Sequence, residues 1–195
     1  MQDIILASQS PRRKMLLEWA EISFEVIVKH TDEDYPAGLT LSETAIHIAQ
    51  NKAMAVRAYV KDAFHGQFAN KTILAADTIV VLDDTVIGKP VDRADAIRIL
   101  SLLSGRQHKV ITGVVILHAR GEISFSDVTE VVFHSLSEEQ ILFYVDKYEP
   151  YDKAGAYAIQ EWIGVTGIQS INGDFYNVMG LPVSRVVQAL HTINQ

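Results

Sequence analysis

Thr72-Ile73-Leu74-Ala75-Ala76-Asp77-Thr78-Ile79-Val80-Val81-Leu82 is apolar at every position except Thr72, Asp77 and Thr78. A strand wetted on one face alternates apolar and polar residues; this run does not, so it predicts a strand buried on both faces. Asp77 stands inside it. A carboxylate buried without a partner costs several kcal/mol, about the desolvation penalty of an ion, so Asp77 calls for a cation, a metal or hydrogen bonds. The plainer reading is an Asp at a frayed strand end that caps a neighbouring loop.

The segments around this strand set the fold class. Asp3 to Ala7 predicts a short strand, and Ser10-Pro11 opens a helix with Ser as N-cap and Pro at its first position. Phe24 to Val28 predicts a second strand. Thr40-Leu41-Ser42-Glu43 has capping-box spacing and starts a helix to about Tyr59. Asp83-Asp84 predicts a turn into Thr85 to Ile87. Asp92 caps a helix carrying Ile97, Leu100 and Leu103, which Gly105 stops. His108 to His118 and Ile123 to Phe133 predict long strands joined at Arg120-Gly121. Ser137 begins a capped helix through about Lys147, Gly155 to Ser170 predicts strand and loop, and Pro182 starts a helix to Ile193. This mixed order of strand–helix units and hairpins argues α/β or α+β with a mixed sheet, not a doubly wound parallel one.

Composition excludes several classes. The chain has 195 residues, 48% hydrophobic and 21% charged, the balance of an ordinary globule of one domain. Seventeen Lys and Arg against 24 Asp and Glu give a net charge of −7, which opposes binding to a nucleic-acid backbone. The cysteine count is 0, which removes disulfides, thiolate catalysis and cysteine-ligated zinc and fits a reducing compartment. No stretch reaches the ~18 apolar residues of a membrane span, and Met1-Gln2-Asp3-Ile4 lacks a basic leader region, so a cytoplasmic protein with no membrane partner is expected. No G-x-x-x-x-G-K-[ST] loop, G-x-S-x-G elbow or H-E-x-x-H motif is present, and the seven histidines are scattered.

Four features bear on chemistry. Asp77 is the first. Lys52 falls within the apolar stripe of Leu41, Ala45, Ile48, Val56 and Tyr59, where a lysine either snorkels to the edge or meets an anion inside. Ser8-Gln9-Ser10-Pro11-Arg12-Arg13 joins a strand end to a helix N-terminus, where two arginines oppose the dipole unless an anion compensates. Lys89 lies in the stiff Gly88-Lys89-Pro90 loop. Arg12, Arg13, Lys52 and Lys89 with Glu33 and Asp77 suit a metal–polyphosphate substrate: cations hold phosphates, and carboxylates hold a metal or activate water. Asp32-Glu33-Asp34 by itself reads as a solvated acidic loop.

These motifs resemble the Maf family. The match rests on Leu6-Ala7-Ser8-Gln9-Ser10-Pro11-Arg12-Arg13, Ala75-Ala76-Asp77-Thr78, Gly88-Lys89-Pro90, and Ser104-Gly105 with His108, Val110, Thr112 and Gly113. It continues in Asp152-Lys153-Ala154-Gly155-Ala156-Tyr157-Ala158-Ile159-Gln160 and in Asn177 with Gly180-Leu181-Pro182. These occur in family order over nearly the whole chain. The resemblance implies a nucleoside triphosphate pyrophosphatase that releases a nucleoside monophosphate and pyrophosphate with a divalent metal, magnesium or manganese. It implies an α/β fold with a long curved mixed sheet, flanking helices and two lobes around a cleft, like the inosine triphosphatases, formed by residues 1–195 as one catalytic domain. Homodimers are common in the family.

The resemblance makes Asp77 the general base, with Glu33 beside it at the metal. Ser8, Arg12, Arg13, Lys52 and Lys89 are then expected at the phosphates. Arg12, Thr78 and Gln160 match the branch that prefers dTTP and UTP. A carboxamide at Gln160 complements the N3–H and O4 edge of a pyrimidine imide. Glu161-Trp162 departs from the Gly-rich stretch usual there, and Asp174 stands where a small hydroxyl residue is common. A nucleotide-sensing regulator of septum formation is the alternative; it would need the cations but no base in an apolar strand.

Overall fold

The computed structural model describes residues 3–63 and 71–193. The strands and helices run β1 (Ile4–Leu6), α1 (Pro11–Trp19), β2 (Phe24–Val26), α2 (Leu41–Ala63), β3 (Ile73–Leu82), β4 (Thr85–Ile87) and α3 (Arg93–Leu103). They continue as β5 (Gln107–His118), β6 (Gly121–Phe133), α4 (Glu138–Tyr148), α5 (Trp162–Gly167), β7 (Ile168–Asn172), α6 (Phe175–Met179) and α7 (Val183–Ile193). Among the described residues the strands form one mixed sheet in the order β2-β1-β3-β5-β6-β7, with β4 also paired to β3. β1 runs parallel to both β2 and β3, whereas β4 is antiparallel to β3 and β7 antiparallel to β6. Helices accompany a sheet with both orientations, so the fold is α/β with a mixed sheet. β3 is buried at nine of its ten positions, all but Thr78, which is the burial its sequence demands.

The helix starts follow their sequence signals. Ser10 accepts a hydrogen bond from the Arg13 amide and Pro11 fills the first helical position of α1. The Thr40 amide donates to Glu43 Oε2 at 2.8 Å, and the Glu43 amide donates to Thr40 Oγ1 at 3.3 Å. This reciprocal box starts α2 and holds the Glu43 carboxyl below its ordinary range. Ser137 forms the same box with Gln140 at the start of α4, and Asp92 caps α3 by accepting from the Asp95 amide.

The chain divides into two units. The first holds the residues up to Asp77, Thr112–Asp127 and those from Gly180 on. Its core joins Ile5, Ala7, Ile73, Ala75, Val115 and Leu117 of the strands to Ala49, Ala53, Val56 and Val60 of α2. Small residues let α2 lie directly on β5: a Cβ on Gly113 would come within 2.2 Å of the Ala45 carbonyl carbon. The second unit holds Thr78–Ile111 and Val128–Met179. Its core contains the edge-to-face ring cluster of His108, Phe133 and Tyr157, with His108 Nε2 2.7 Å from Tyr157 Oη. Burial pulls the imidazole down to about 4 and pushes the phenol up.

One expectation is corrected. Gly155 to Ser170 is mostly helical turns rather than strand: a 3-10 turn at Ala154–Ala156, α5, and only then β7. Gly155 has φ of +71°, outside the strand region, and its missing Cβ leaves room for Val80, which a Cβ would meet at 3.0 Å. The amides of Gly164 and Val165 both donate to the Glu161 carbonyl at 2.9 and 3.3 Å, which starts α5 despite two glycines and three β-branched residues. The short α6 carried no readable signal.

Gly113→Ala is expected to lower stability by about 1–3 kcal/mol, because the methyl group overlaps α2 backbone that cannot shift without unpacking the core. Gly88→Ala, with open space around its Cβ position, is the control that stays near the parent in thermal melts. A second expectation concerns acid. Between pH 6.5 and 4 the unfolded chain takes up a proton at His108 that the folded chain refuses. Stability therefore falls as pH drops through that window, by about 3 kcal/mol in total. Denaturant titrations of His108→Gln should show that part of the slope removed.

Candidate functional site

The first unit brings three of the expected residues into one contact. Asp77 is the last residue of this unit on β3, and only 8% exposed. Lys52 on α2 donates from Nζ to Asp77 Oδ1 at 2.6 Å and to Glu33 Oε1 at 3.0 Å. Lys52 meets anions rather than snorkelling away, and Asp77 is not a loop cap at a frayed end; Glu33 is exposed, as a solvated loop carboxylate is, and accepts from Lys52. Two carboxylates thus converge on one ammonium.

A second cationic group is built from the loop after β1 and the start of α1. Arg13 is buried. Its Nε donates to the Gly180 carbonyl at 2.8 Å and its Nη1 to Ser8 Oγ at 3.1 Å. Ser8 Oγ also accepts from the Ser10 amide at 3.2 Å. Burial pulls the Arg13 guanidinium below its ordinary range; Asp77 opposes that pull, Arg12 adds to it by like charge, and Glu33 opposes it more weakly. Arg12 is half-buried beside it. The first unit therefore sets three cations, Arg12, Arg13 and Lys52, against Glu33 and Asp77.

Thr78, Lys89 and Gln160 belong to the second unit. Thr78 is half-buried and Lys89 is exposed in the loop after β4. Gln160 lies within the turn that the Glu161 amide closes on the Ala158 carbonyl, and its buried Oε1 has no hydrogen-bond partner among the described residues. An unmet buried acceptor costs about 1–3 kcal/mol. Sequence reasoning gave no role to Lys153, which is buried between Asp152 at 2.7 Å and Glu161 at 3.6 Å. An i,i+1 acidic neighbour was visible; the second partner depends on the turn that the sequence did not reveal.

The donor set also bears on a metal. Among the described residues no cluster of three or more His, Cys, Asp or Glu side chains forms a ready-made cage. Mg²⁺ is commonly held by one or two carboxylates together with substrate phosphates, and the pair Glu33 and Asp77 fits that arrangement.

Similarity to known proteins extends over nearly the whole chain. The family model described as Maf-like protein matches residues 3–193. A protein of Cytophaga hutchinsonii named dTTP/UTP pyrophosphatase is 50% identical over 188 residues, covering 96% of this chain and 83% of the relative. One of Porphyromonas gingivalis with the same name is 49% identical over 182 residues, 92% of this chain and 88% of the relative. One of Parabacteroides distasonis, again so named, is 46% identical and covers 96% and 94% of the two chains. The structure of the Staphylococcus aureus Ham1 protein is similar at a TM-score of 0.46 and 16% identity, a likeness too slight to argue from.

Lys52→Met should destabilise the protein by about 2–3 kcal/mol, less than a fully buried broken pair, because Arg13 still faces Asp77. Adding Asp77→Asn should recover at least half of that loss in urea unfolding. Additive losses would show that Lys52 and Asp77 do not depend on each other.

Proposed function

This chain belongs to the Maf family, and on that premise we propose that it is a nucleoside triphosphate pyrophosphatase acting on dTTP and UTP. The products are the nucleoside monophosphate and pyrophosphate. The observation that carries the reading is Asp77, a buried carboxylate tied to Lys52 at 2.6 Å and under the field of Arg13. The names of the relatives support the reaction and the substrates. The regulator reading has no finding in its favour over this one.

The chemistry follows from the residue types. A water oxygen forms a bond to phosphorus as the bond between the α- and β-phosphates breaks. The water's proton goes to the Asp77 carboxylate, and the electron pair of the broken bond leaves with the departing pyrophosphate. Ser8, Arg12, Arg13, Lys52 and Lys89 bind phosphate oxygens, and the cations offset charge that builds on them. Lys52 also holds Asp77 in place, so its role is shared between positioning and charge. Glu33 and Asp77 would hold a divalent ion, magnesium or manganese, which when bound supplies positive charge to the phosphates.

Gln160 reads the base. Its carboxamide offers one acceptor for N3–H and one donor for O4 of thymine or uracil. Arg12 and Thr78 contribute to the same choice, as their match to the dTTP/UTP branch suggests. The working form on this reading is a cytoplasmic homodimer in which residues 1–195 act as one catalytic domain, with no nucleic-acid polymer as partner. No helix among the described residues is long and apolar enough to cross a membrane.

Pyrophosphate release tests the whole assignment. Asp77→Asn should lower kcat by ~10²-fold or more, and near-normal turnover would end its assignment as base. Glu33→Gln should raise the magnesium or manganese concentration needed for half-maximal rate. The wild type should turn over dTTP and UTP at least about tenfold better in kcat/KM than ATP or GTP, a gap of ~1.4 kcal/mol. Gln160→Ala should shrink that gap more than it slows a purine triphosphate; an equal loss on every substrate would count against base reading.

A further inference from the structure

Gln160 can discriminate only if its amide is aimed, and the side chain of Glu161, the next residue, is held by two others. Tyr144 of α4 donates its hydroxyl to Glu161 Oε2. The same hydroxyl accepts from the amide of Ala158, two residues before Gln160, at 3.2 Å. Lys153 Nζ, buried, lies 3.6 Å from Glu161 Oε1. The neighbouring pair repeats the contact: Trp162 packs edge-to-face on Phe143 with centroids 4.8 Å apart. Two adjacent residues of α4 thus grip Glu161 at the end of the turn and Trp162 at the start of α5.

The backbone of the turn is equally constrained. The Glu161 amide donates to the Ala158 carbonyl at 3.1 Å, and the Gly164 amide donates to the Glu161 carbonyl at 2.9 Å. A Cβ on Gly164 would fall 1.7 Å from the Ile159 carbonyl oxygen, so α5 is pressed against the residue before Gln160. A polar network in a buried setting rigidifies what it holds only when its members are matched, and each member here has a charged or hydroxyl partner.

We propose that Glu161, held by Tyr144 and Lys153, is a positioning residue for substrate selection that fixes the direction of the Gln160 amide. The inference rests on the proposed reading of Gln160 as the base-contacting residue. Loss of the clamp leaves the phosphate-binding residues and Asp77 untouched, so it changes which base is accepted rather than how fast the bond breaks.

The test uses the full chain with Glu161→Gln, which keeps the side-chain shape, and Tyr144→Phe, which keeps the ring stacked on Tyr148. Pyrophosphate release is measured on dTTP, UTP and ATP alongside thermal unfolding. Each variant is expected to raise KM for dTTP by about tenfold, with kcat within about threefold, and to narrow the dTTP-to-ATP ratio of kcat/KM by about tenfold. Gln160→Ala combined with Glu161→Gln should lose no more selectivity than Gln160→Ala alone. Lower melting temperatures with unchanged KM and selectivity in both variants would overturn the inference while Gln160→Ala still relaxes selectivity, leaving the base-reading assignment intact. A wild type with no dTTP or UTP preference would overturn that assignment and this inference with it.

Discussion

An ionised carboxylate in the middle of an apolar strand is stable only where a cation is delivered to it, and that requirement organises the first unit. The cation for Asp77 comes from α2, 25 residues earlier, as Lys52 Nζ at 2.6 Å. Delivering it fixes the rotation of α2. Ala49, Ala53, Val56 and Val60 then face Ile5, Ile73, Ala75, Val115 and Leu117, which puts Lys52 at the margin of that packed face. The distance between helix and sheet matters as much as the rotation. Gly113 sets it, since any larger residue would hold the α2 backbone off β5 and draw Lys52 back from the carboxylate.

Arg13 solves a harder version of the same problem. A guanidinium at the start of a helix meets an unfavourable dipole, and burial adds desolvation. The chain answers in part with the Gly180 carbonyl and Ser8 Oγ, two neutral acceptors that orient the guanidinium. With Arg12 next to it and Lys52 shared between Glu33 and Asp77, cations outnumber carboxylates locally in a chain whose net charge is −7. A small polyanion gains from that excess where a long nucleic acid meets the repulsion of the whole surface.

How far the sequence reveals this depends on the range of each interaction. β3, the Ser10-Pro11 start, the Thr40 to Glu43 box and the Ser137 cap rest on neighbouring residues, and they appear where their spacing puts them. The segment from Gly155 to Ser170 does not, because its helical turns are imposed by the Glu161 carbonyl and by close contacts at Gly155 and Gly164 against poor local propensity. Asp77 was legible as a buried charge and Lys52 as a cation on an apolar stripe. Their meeting was not, since nothing in a linear spacing of 25 residues fixes the register of a helix on a sheet. His108 with Tyr157, and Lys153 and Tyr144 with Glu161, were invisible for the same reason. Each residue is unremarkable alone and acquires its surroundings only when distant segments fold together.

The division of labour between charge and shape follows from what a nucleoside triphosphate offers. Every such substrate carries the same triphosphate, so Ser8, Arg13 and Lys52 hold dTTP and ATP alike and add little to choice between them. Ammonium and guanidinium groups on flexible stems suit that task, because phosphate oxygens accept from many directions. A base edge is different: it presents one donor and one acceptor at fixed positions, and a wrong base leaves a buried polar atom unmet. The side chain that meets it must be short on freedom. Gln160 has the chemistry and too many rotatable bonds, so its direction has to come from the backbone beneath it. That is what a turn pinned through Ala158, Glu161 and Gly164 provides, and why selection on this reading depends on residues that never touch the substrate.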